Sequence, residues 1–328
     1  MDLPVAKRRM LASLLLMSPG IIISGYAAVR RAGMAVLYKS VPWPDEQVRR
    51  DISYRDESAD EKHRLDLFLP KGANWPILVF VHGGGLASGD KTLRVCGADV
   101  YGNIGRFYAS RGIGVAVINY RLQPKVTWRE QVEDVAHAVA WVHSHLGLFG
   151  GNTNRLFVGG HSAGAHLCAR IALDPKPLCA VGLSPAILSG VIAVSGAGFD
   201  LSDSKTYGFR HKLRDYEARF RCGDPTENWK AEASPITFAA PGAPPFLIIY
   251  PEGESKSLQR QSQLLHDALR RSTVQSDLLV VPGEGHCRVV LTLSRPDKVA
   301  VPAILSFLAG KSANSPTVSL SPDLKSSH

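Results

Sequence analysis

The stretch Gly160-His161-Ser162-Ala163-Gly164 limits what this chain can fold into more than any other. The apolar run Leu156-Phe157-Val158-Gly159 leads into it and the helix-forming Ala165-His166-Leu167 leads out, so the segment predicts strand, sharp turn and helix, with Ser162 at the turn. The spacing is G-x-S-x-G. Its glycines flank a residue held in a strained backbone conformation, at positions where a side chain would collide with the adjoining strand or helix. Such a turn lifts the serine hydroxyl out of the top of a sheet. Taken alone the spacing also fits ordinary loops, because glycine and serine are common.

A second stretch narrows the reading. Residues 75–81 form a buried-strand run of β-branched and aromatic residues that feeds directly into His82-Gly83-Gly84-Gly85. Three consecutive glycines leave backbone N–H groups uncovered, and such donors hold the negative charge that develops when a nucleophile adds to an acyl carbonyl. Strand-H-G-G-G followed about eighty residues later by strand-G-x-S-x-G is the order expected of an α/β-hydrolase. The expected architecture is a mostly parallel central sheet flanked by helices, with a small cap. On these two motifs the chain resembles the hormone-sensitive-lipase-like and carboxylesterase branch of the α/β-hydrolases, BD-FAE-like members included, over residues 50–310. By that resemblance the oxyanion donors are the backbone N–H groups of Gly84, Gly85 and Ala163, and His82 braces the glycine loop. Ser88-Gly89-Asp90-Lys91, Glu254-Ser255 and Arg260-Gln261-Ser262 are similar to the corresponding places of the kynurenine formamidase-like group. The chain departs from that group at Leu86, where an aromatic residue is expected, and at Lys256-Ser257-Leu258, where the group has Pro-Glu-Phe. Asp90 and Lys91 themselves read as an exposed loop pair.

A serine hydroxyl is a poor nucleophile at neutral pH, so Ser162 needs a base in hydrogen-bond reach and the base needs an orienting acid. The fold expects the chain order serine, acid, histidine. His286 follows the last apolar strand in Pro282-Gly283-Glu284-Gly285-His286, a glycine-containing loop where a base must sit. His161, His166, His211 and His266 read as structural histidines. For the acid, the loop Pro251-Glu252-Gly253-Glu254 after the strand at 246–250 offers two carboxylates, with Asp200 a third candidate whose expected role is a loop hydrogen bond. The formamidase-like match places Glu254 at the acid position, and Glu252 is the runner-up.

Six short apolar runs at 77–81, 114–119, 156–159, 191–195, 246–250 and 277–281, separated by helix-length segments, give the spacing of a parallel sheet. An opening hairpin is expected from 51–55 and 63–69, with Leu65, Leu67 and Leu69 alternating on one face, and 41–44 reads as an extended linker. Val132, Val135, Val139 and Val142 recur on one face of a helix at 128–145. Between about 201 and 240 the apolar periodicity lapses, and Tyr207, Phe209, Tyr216, Phe220 and Trp229 mark either the cap or a surface excursion. The catalytic domain is expected over 41–310, and the Ser-, Pro- and Thr-rich tail at 311–328 reads as disordered.

Charge points to the N-terminus. Formal net charge is +9, of which +5 lies in the first forty residues through Lys7, Arg8, Arg9, Arg30, Arg31 and Lys39 against Asp2. The remaining excess is too small and too scattered for nucleic-acid binding. The basic residues bracket an apolar segment, 10–29, of the length a bilayer span needs. The segment reads as a signal anchor that exports the domain. The alternatives are a cleaved signal peptide with a small-x-small site at Gly25-Tyr26-Ala27 and a faint twin-arginine pattern at Arg8-Arg9, or an N-terminal helix that packs on the domain as part of a cap, and the alternative location is the cytoplasm. Pro19-Gly20 interrupts any helix there. The five cysteines are odd in number and widely spaced, without C-x-x-C, so they indicate neither a disulfide framework nor a zinc site and read as small buried hydrophobes.

These residues predict hydrolysis of carboxylic esters by two-step acyl transfer, with no metal or cofactor. An arylformamidase acting on N-formylkynurenine-type amides is the nearest alternative, and a hydrolase fold reused as a binding module is the alternative from another class.

Overall fold

The computed structural model describes residues 38–55, 59–207, 210–223, 226 and 228–310. The apolar segment 10–29 and the tail from 311 lie outside them. The chain opens with an antiparallel hairpin, β1 (Val48–Ser53) and β2 (Arg64–Phe68). It continues through β3 (Trp75–Val81), α1 (Val100–Ala109), β4 (Gly114–Ile118), α2 (Trp128–His145), β5 (Gly151–His161), α3 (Ala163–Leu173), α4 (Pro175–Ala180) and β6 (Leu188–Val194). Three helices follow, α5 (Ser204–Tyr207), α6 (Arg210–Phe220) and α7 (Asn228–Ala233), before β7 (Phe246–Pro251), α8 (Lys256–Arg271), β8 (Ser276–Val281), α9 (His286–Thr292) and α10 (Ala300–Leu308).

These eight strands form one sheet in the order β1-β2-β4-β3-β5-β6-β7-β8, and residues 94–95 and 98–99 pair as a separate two-stranded ribbon. The hairpin pairs antiparallel to β4, and the six strands from β4 to β8 run parallel. This is the α/β-hydrolase order, and the six apolar runs of the sequence are its six parallel strands. All seven residues of β3 are buried, as a strand covered on both faces requires. Ile77, Val79 and Val81 belong to the core layer against α2, α3 and α8, while Leu78 and Phe80 point to the opposite layer with Phe107, Ile304 and Phe307. The two-residue period of the strand thus divides the interior into two hydrophobic layers.

Helix α2 has the bounds its valine stripe predicts, and Val132, Val135, Val139 and Val142 are all buried. Thr127 and Glu130 fix its start with a capping box: the Thr127 side chain accepts from the Glu130 amide, and the Glu130 carboxylate accepts from Thr127 N–H at 2.8 Å. Where the sequence shows no period, α5, α6 and α7 form, followed by a short 3-10 turn, Pro235–Phe238. These helices are short and bury only a few anchors each, Tyr207, Phe220 and Trp229 among them.

Two expectations fail here. Asp90 and Lys91 do not form an exposed pair. Lys91 is 3% exposed, and its ammonium donates to Asp51 at 2.6 Å and to Asp66 at 2.7 Å, so the loop after β3 is tied into the β1–β2 hairpin. Burial works against that charge, and the two carboxylates overcome it, leaving the ammonium pKa raised. Asp90 instead accepts from Lys62 Nζ at 2.5 Å and Asn119 Nδ2 at 2.9 Å. The cysteines differ too: Cys168 is buried, whereas Cys96, Cys179, Cys222 and Cys287 are exposed, each lying in a turn or at a helix surface that the local sequence does not mark.

Candidate active site

Ser162 stands where β5 ends and α3 begins, with φ 56° and ψ −117°. Few non-glycine residues adopt such a backbone, and it costs of order 1–3 kcal/mol unless its surroundings impose it. The neighbouring glycines make it possible. A Cβ on Gly164 would lie 2.2 Å from the Val81 carbonyl oxygen, and one on Gly160 would lie 2.5 Å from the Gly164 backbone. The Ser162 amide donates to the Val194 carbonyl at 2.9 Å, which pins the turn to β6.

Two loops at the same edge of the sheet bring their side chains to this serine. His286 is the first residue of α9, after the loop that leaves β8, and its Nε2 lies 3.1 Å from Ser162 Oγ. Its Nδ1 meets Glu254 Oε1. A carboxylate at Nδ1 holds the proton there, so Nε2 is the lone-pair nitrogen and accepts from the serine hydroxyl. Glu254 lies in the loop after β7 with its side chain wholly buried. Gly253 N–H donates to Glu284 O at 2.9 Å and Gln259 Nε2 donates to Glu254 O at 3.0 Å, fixing that loop. Of the two other carboxylates weighed, Glu252 is exposed and accepts from the Gly283 amide at 3.2 Å, and Asp200 accepts from Ser202 N–H at 2.9 Å. Neither reaches His286.

The loop His82-Gly83-Gly84-Gly85 packs against the turn: a Cβ on Gly83 would lie 3.2 Å from Ser162 Cβ. Gly84 adopts φ 127° and would place a Cβ 1.9 Å from Ser88 O, so the loop folds back on itself only with glycine there. Among the described residues the amides of Gly84, Gly85 and Ala163 find no protein acceptor. His82 is buried, stacked on Tyr120 with ring centroids 4.4 Å apart, and its Nδ1–H donates to Gly83 O at 2.7 Å. Tyr101, which the sequence does not flag, accepts from Gly83 N–H at 3.1 Å.

Three buried histidines surround the site and stay neutral. Burial lowers His82 to about 4 and His161 and His166 to about 3. His161 Nε2–H donates to the carbonyl of His286 at 2.9 Å and so steadies the loop that carries it. His166 donates from Nδ1 to Ala197 O at 3.2 Å. His266 meets Ser276 Oγ at 2.8 Å, far from the serine in the fold, and the side chain of His211 lies outside the described residues.

A mostly apolar cavity of about 120 Å³ opens beside Ser162, walled by Leu86, His166 and Ala197 from the body and by Tyr216, Arg219 and Phe220 from α6. An engineered apolar cavity of roughly 150 Å³ holds a benzene molecule, so this recess suits a small acyl or aryl group. Arg219 carries no signal in the sequence, because its place depends on how α6 docks. Among the described residues no three His, Cys, Asp or Glu side chains gather as a metal site.

The arrangement can transfer a proton from a hydroxyl to an imidazole held by a carboxylate, next to three free amide donors. The BD-FAE family model matches residues 65–269, well over half of the chain. The chain belongs to the BD-FAE family. The matched span takes in the glycine loop, Ser162 and Glu254, and ends before His286. This BD-FAE member is 31% identical over 260 residues to the esterase LipQ of Mycobacterium tuberculosis, covering 74% of this chain and 58% of that one. It is 28% identical over 260 residues to the isoprenylcysteine alpha-carbonyl methylesterase ICME of Arabidopsis thaliana, covering 75% and 58%. The chain thus spans a little under three fifths of these relatives' length. Among solved structures, esterase B from Lactobacillus rhamnosis inhibited with a tributyrin phosphonate superposes with a TM-score of 0.68 at 21% identity, over 92% of this chain and 95% of that one. An esterase from Pyrobaculum calidifontis gives 0.67 at 21% identity, over 94% and 99%. Both share the α/β-hydrolase fold.

Proposed function

We propose that this chain is a serine carboxylesterase. The observation that carries the reading is the continuous contact Ser162 to His286 to Glu254 at the mouth of an apolar recess. Ser162 Oγ attacks the ester carbonyl while His286 Nε2 takes its proton, and Glu254 stabilises the imidazolium that forms. The amides of Gly84, Gly85 and Ala163 receive the charge on the carbonyl oxygen, each worth on the order of 3 kcal/mol in comparable sites. Protonated His286 then gives its proton to the departing alkoxide, leaving an acyl-Ser162 ester. Water attacks that ester with His286 again as base, and the acid departs. The esterase names of the family relatives support the same bond type.

A series of p-nitrophenyl esters of rising acyl length, with N-formylkynurenine beside it, tests the reading on wild type and Ser162→Ala. Short esters are turned over by the wild type, and the variant loses at least about three orders of magnitude in kcat. Retained ester activity in the variant contradicts the assignment. Faster turnover of the formamide than of any ester moves the chain to the arylformamidase reading. We also assign the domain to the outer side of a membrane, anchored by residues 10–29, on the support of their apolar length and the basic flank at Lys7, Arg8 and Arg9. Fractionation of cells expressing the full chain checks this, and recovery in the cytosol refutes it.

A further inference from the structure

Helix α6 is joined to the body of the protein at its C-terminal end, where helical carbonyls lack partners within the helix. Gln123 Nε2 donates to Arg219 O at 2.7 Å and Trp128 Nε1 donates to Phe220 O at 2.9 Å. From this fixed end the Arg219 side chain crosses to the glycine loop, where its Nη1 donates to the carbonyl of Gly85. The guanidinium lies flat over that residue. Its Cζ, Nη2 and Nη1 are 3.6, 3.6 and 3.7 Å from the point a Gly85 Cβ would occupy. Asp215, one turn earlier on α6, lines the same recess, and among the described residues no carboxylate oxygen lies within ion-pair distance of the Arg219 guanidinium.

The carbonyls along the loop have different supports. Gly84 O accepts from Ser88 N–H at 3.0 Å and Ser88 Oγ at 2.9 Å, within the loop. Leu86 O accepts from Gln123 N–H at 3.0 Å and Gln131 Nε2 at 2.7 Å, from the body. The bond to Gly85 O comes from the segment covering the site. Gly84 and Gly85 have φ of 127° and 59°, in the region where glycine turns freely, so the direction of their N–H groups depends on what holds the flanking peptides. We infer that Arg219 is a positioning residue for the oxyanion loop, coupling the docking of α6 to stabilisation of the tetrahedral charge. The inference rests on the proposed esterase reading. Its positive charge beside the recess adds to the same effect, since it acts most strongly when the carbonyl oxygen becomes negative.

Because the effect belongs to the transition state, Arg219→Gln is expected to lower kcat on a short p-nitrophenyl ester by on the order of 10- to 100-fold, with KM within about twofold. The rate of covalent capture by a phosphonate inhibitor falls in proportion. Arg219→Lys, which restores a donor and a charge, recovers part of the loss, and added guanidinium ion raises the activity of Arg219→Ala. Trp128→Phe, which loosens the end of α6 and keeps the guanidinium, loses thermal stability and retains more kcat than Arg219→Gln. A rise in KM at unchanged kcat, or wild-type kcat in Arg219→Gln, overturns the inference. Ser162→Ala is assayed alongside: its inactivity together with an unaffected Arg219→Gln discards this inference alone, while its activity discards the esterase reading.

Discussion

At the scale of single residues the chemistry depends on which carboxylate faces His286. Glu252 and Glu254 are two positions apart in one loop, and the residues by themselves do not separate them. The fold does so by burying Glu254 against Nδ1 and leaving Glu252 in solvent at the Gly283 amide. Glu254→Gln keeps the shape but supplies no charge for the imidazolium, and the amide can hold the wrong tautomer. A steady-state assay is expected to show a kcat loss on the order of 10³- to 10⁴-fold for Glu254→Gln and a change within a few fold for Glu252→Gln. Equal losses in both variants would mean that the loop, not one carboxylate, is what matters. Ser162 and His286 stand in short patterns that carry their geometry with them: a serine between two glycines, and a histidine in a glycine loop after a strand. Arg219 had no such pattern, because a contact across 134 positions leaves no local trace.

At the scale of elements, the strands and α2 could be read because each buries a face whose period matches its own geometry. The helices α5, α6 and α7 could not, since each is short and, among the described side chains, buries only one or two anchors. Lys91 shows the other kind of failure. Beside Asp90 it looks like half of a surface pair, yet its partners Asp51 and Asp66 lie on the hairpin, 40 and 25 residues away. Removing one member of a buried ion pair strands the other, so Lys91→Met is expected to cost about 3–5 kcal/mol, read from the urea midpoint. Asp66 is 2% exposed and would be left with the Asp51 amide at 2.9 Å and the half-exposed Arg50 guanidinium at 3.4 Å. A cost below about 1 kcal/mol would show that the cluster is not a tie between hairpin and loop.

For the whole molecule, the three neutral histidines couple stability to acidity. The folded chain binds no proton at His82, His161 or His166 until pH falls to about 4, about 3 and about 3. The unfolded chain protonates all three near pH 6.5, so it holds more protons between those values, and stability is full above 6.5 and falls with pH below it. With three extra protons at about 1.4 kcal/mol per pH unit each, the slope reaches about 4 kcal/mol per unit. Denaturant titrations from pH 7 to 5 measure it, and His166→Asn removes about one proton from the slope. A flat profile would mean that these rings titrate normally in the folded state. The most direct test of the central claim is intact-mass analysis after reaction with a phosphonate ester, followed by peptide mapping. One adduct per chain is expected, on Ser162, absent in Ser162→Ala and formed far more slowly in His286→Gln. An adduct on another residue, or equal labelling of Ser162→Ala, would contradict it.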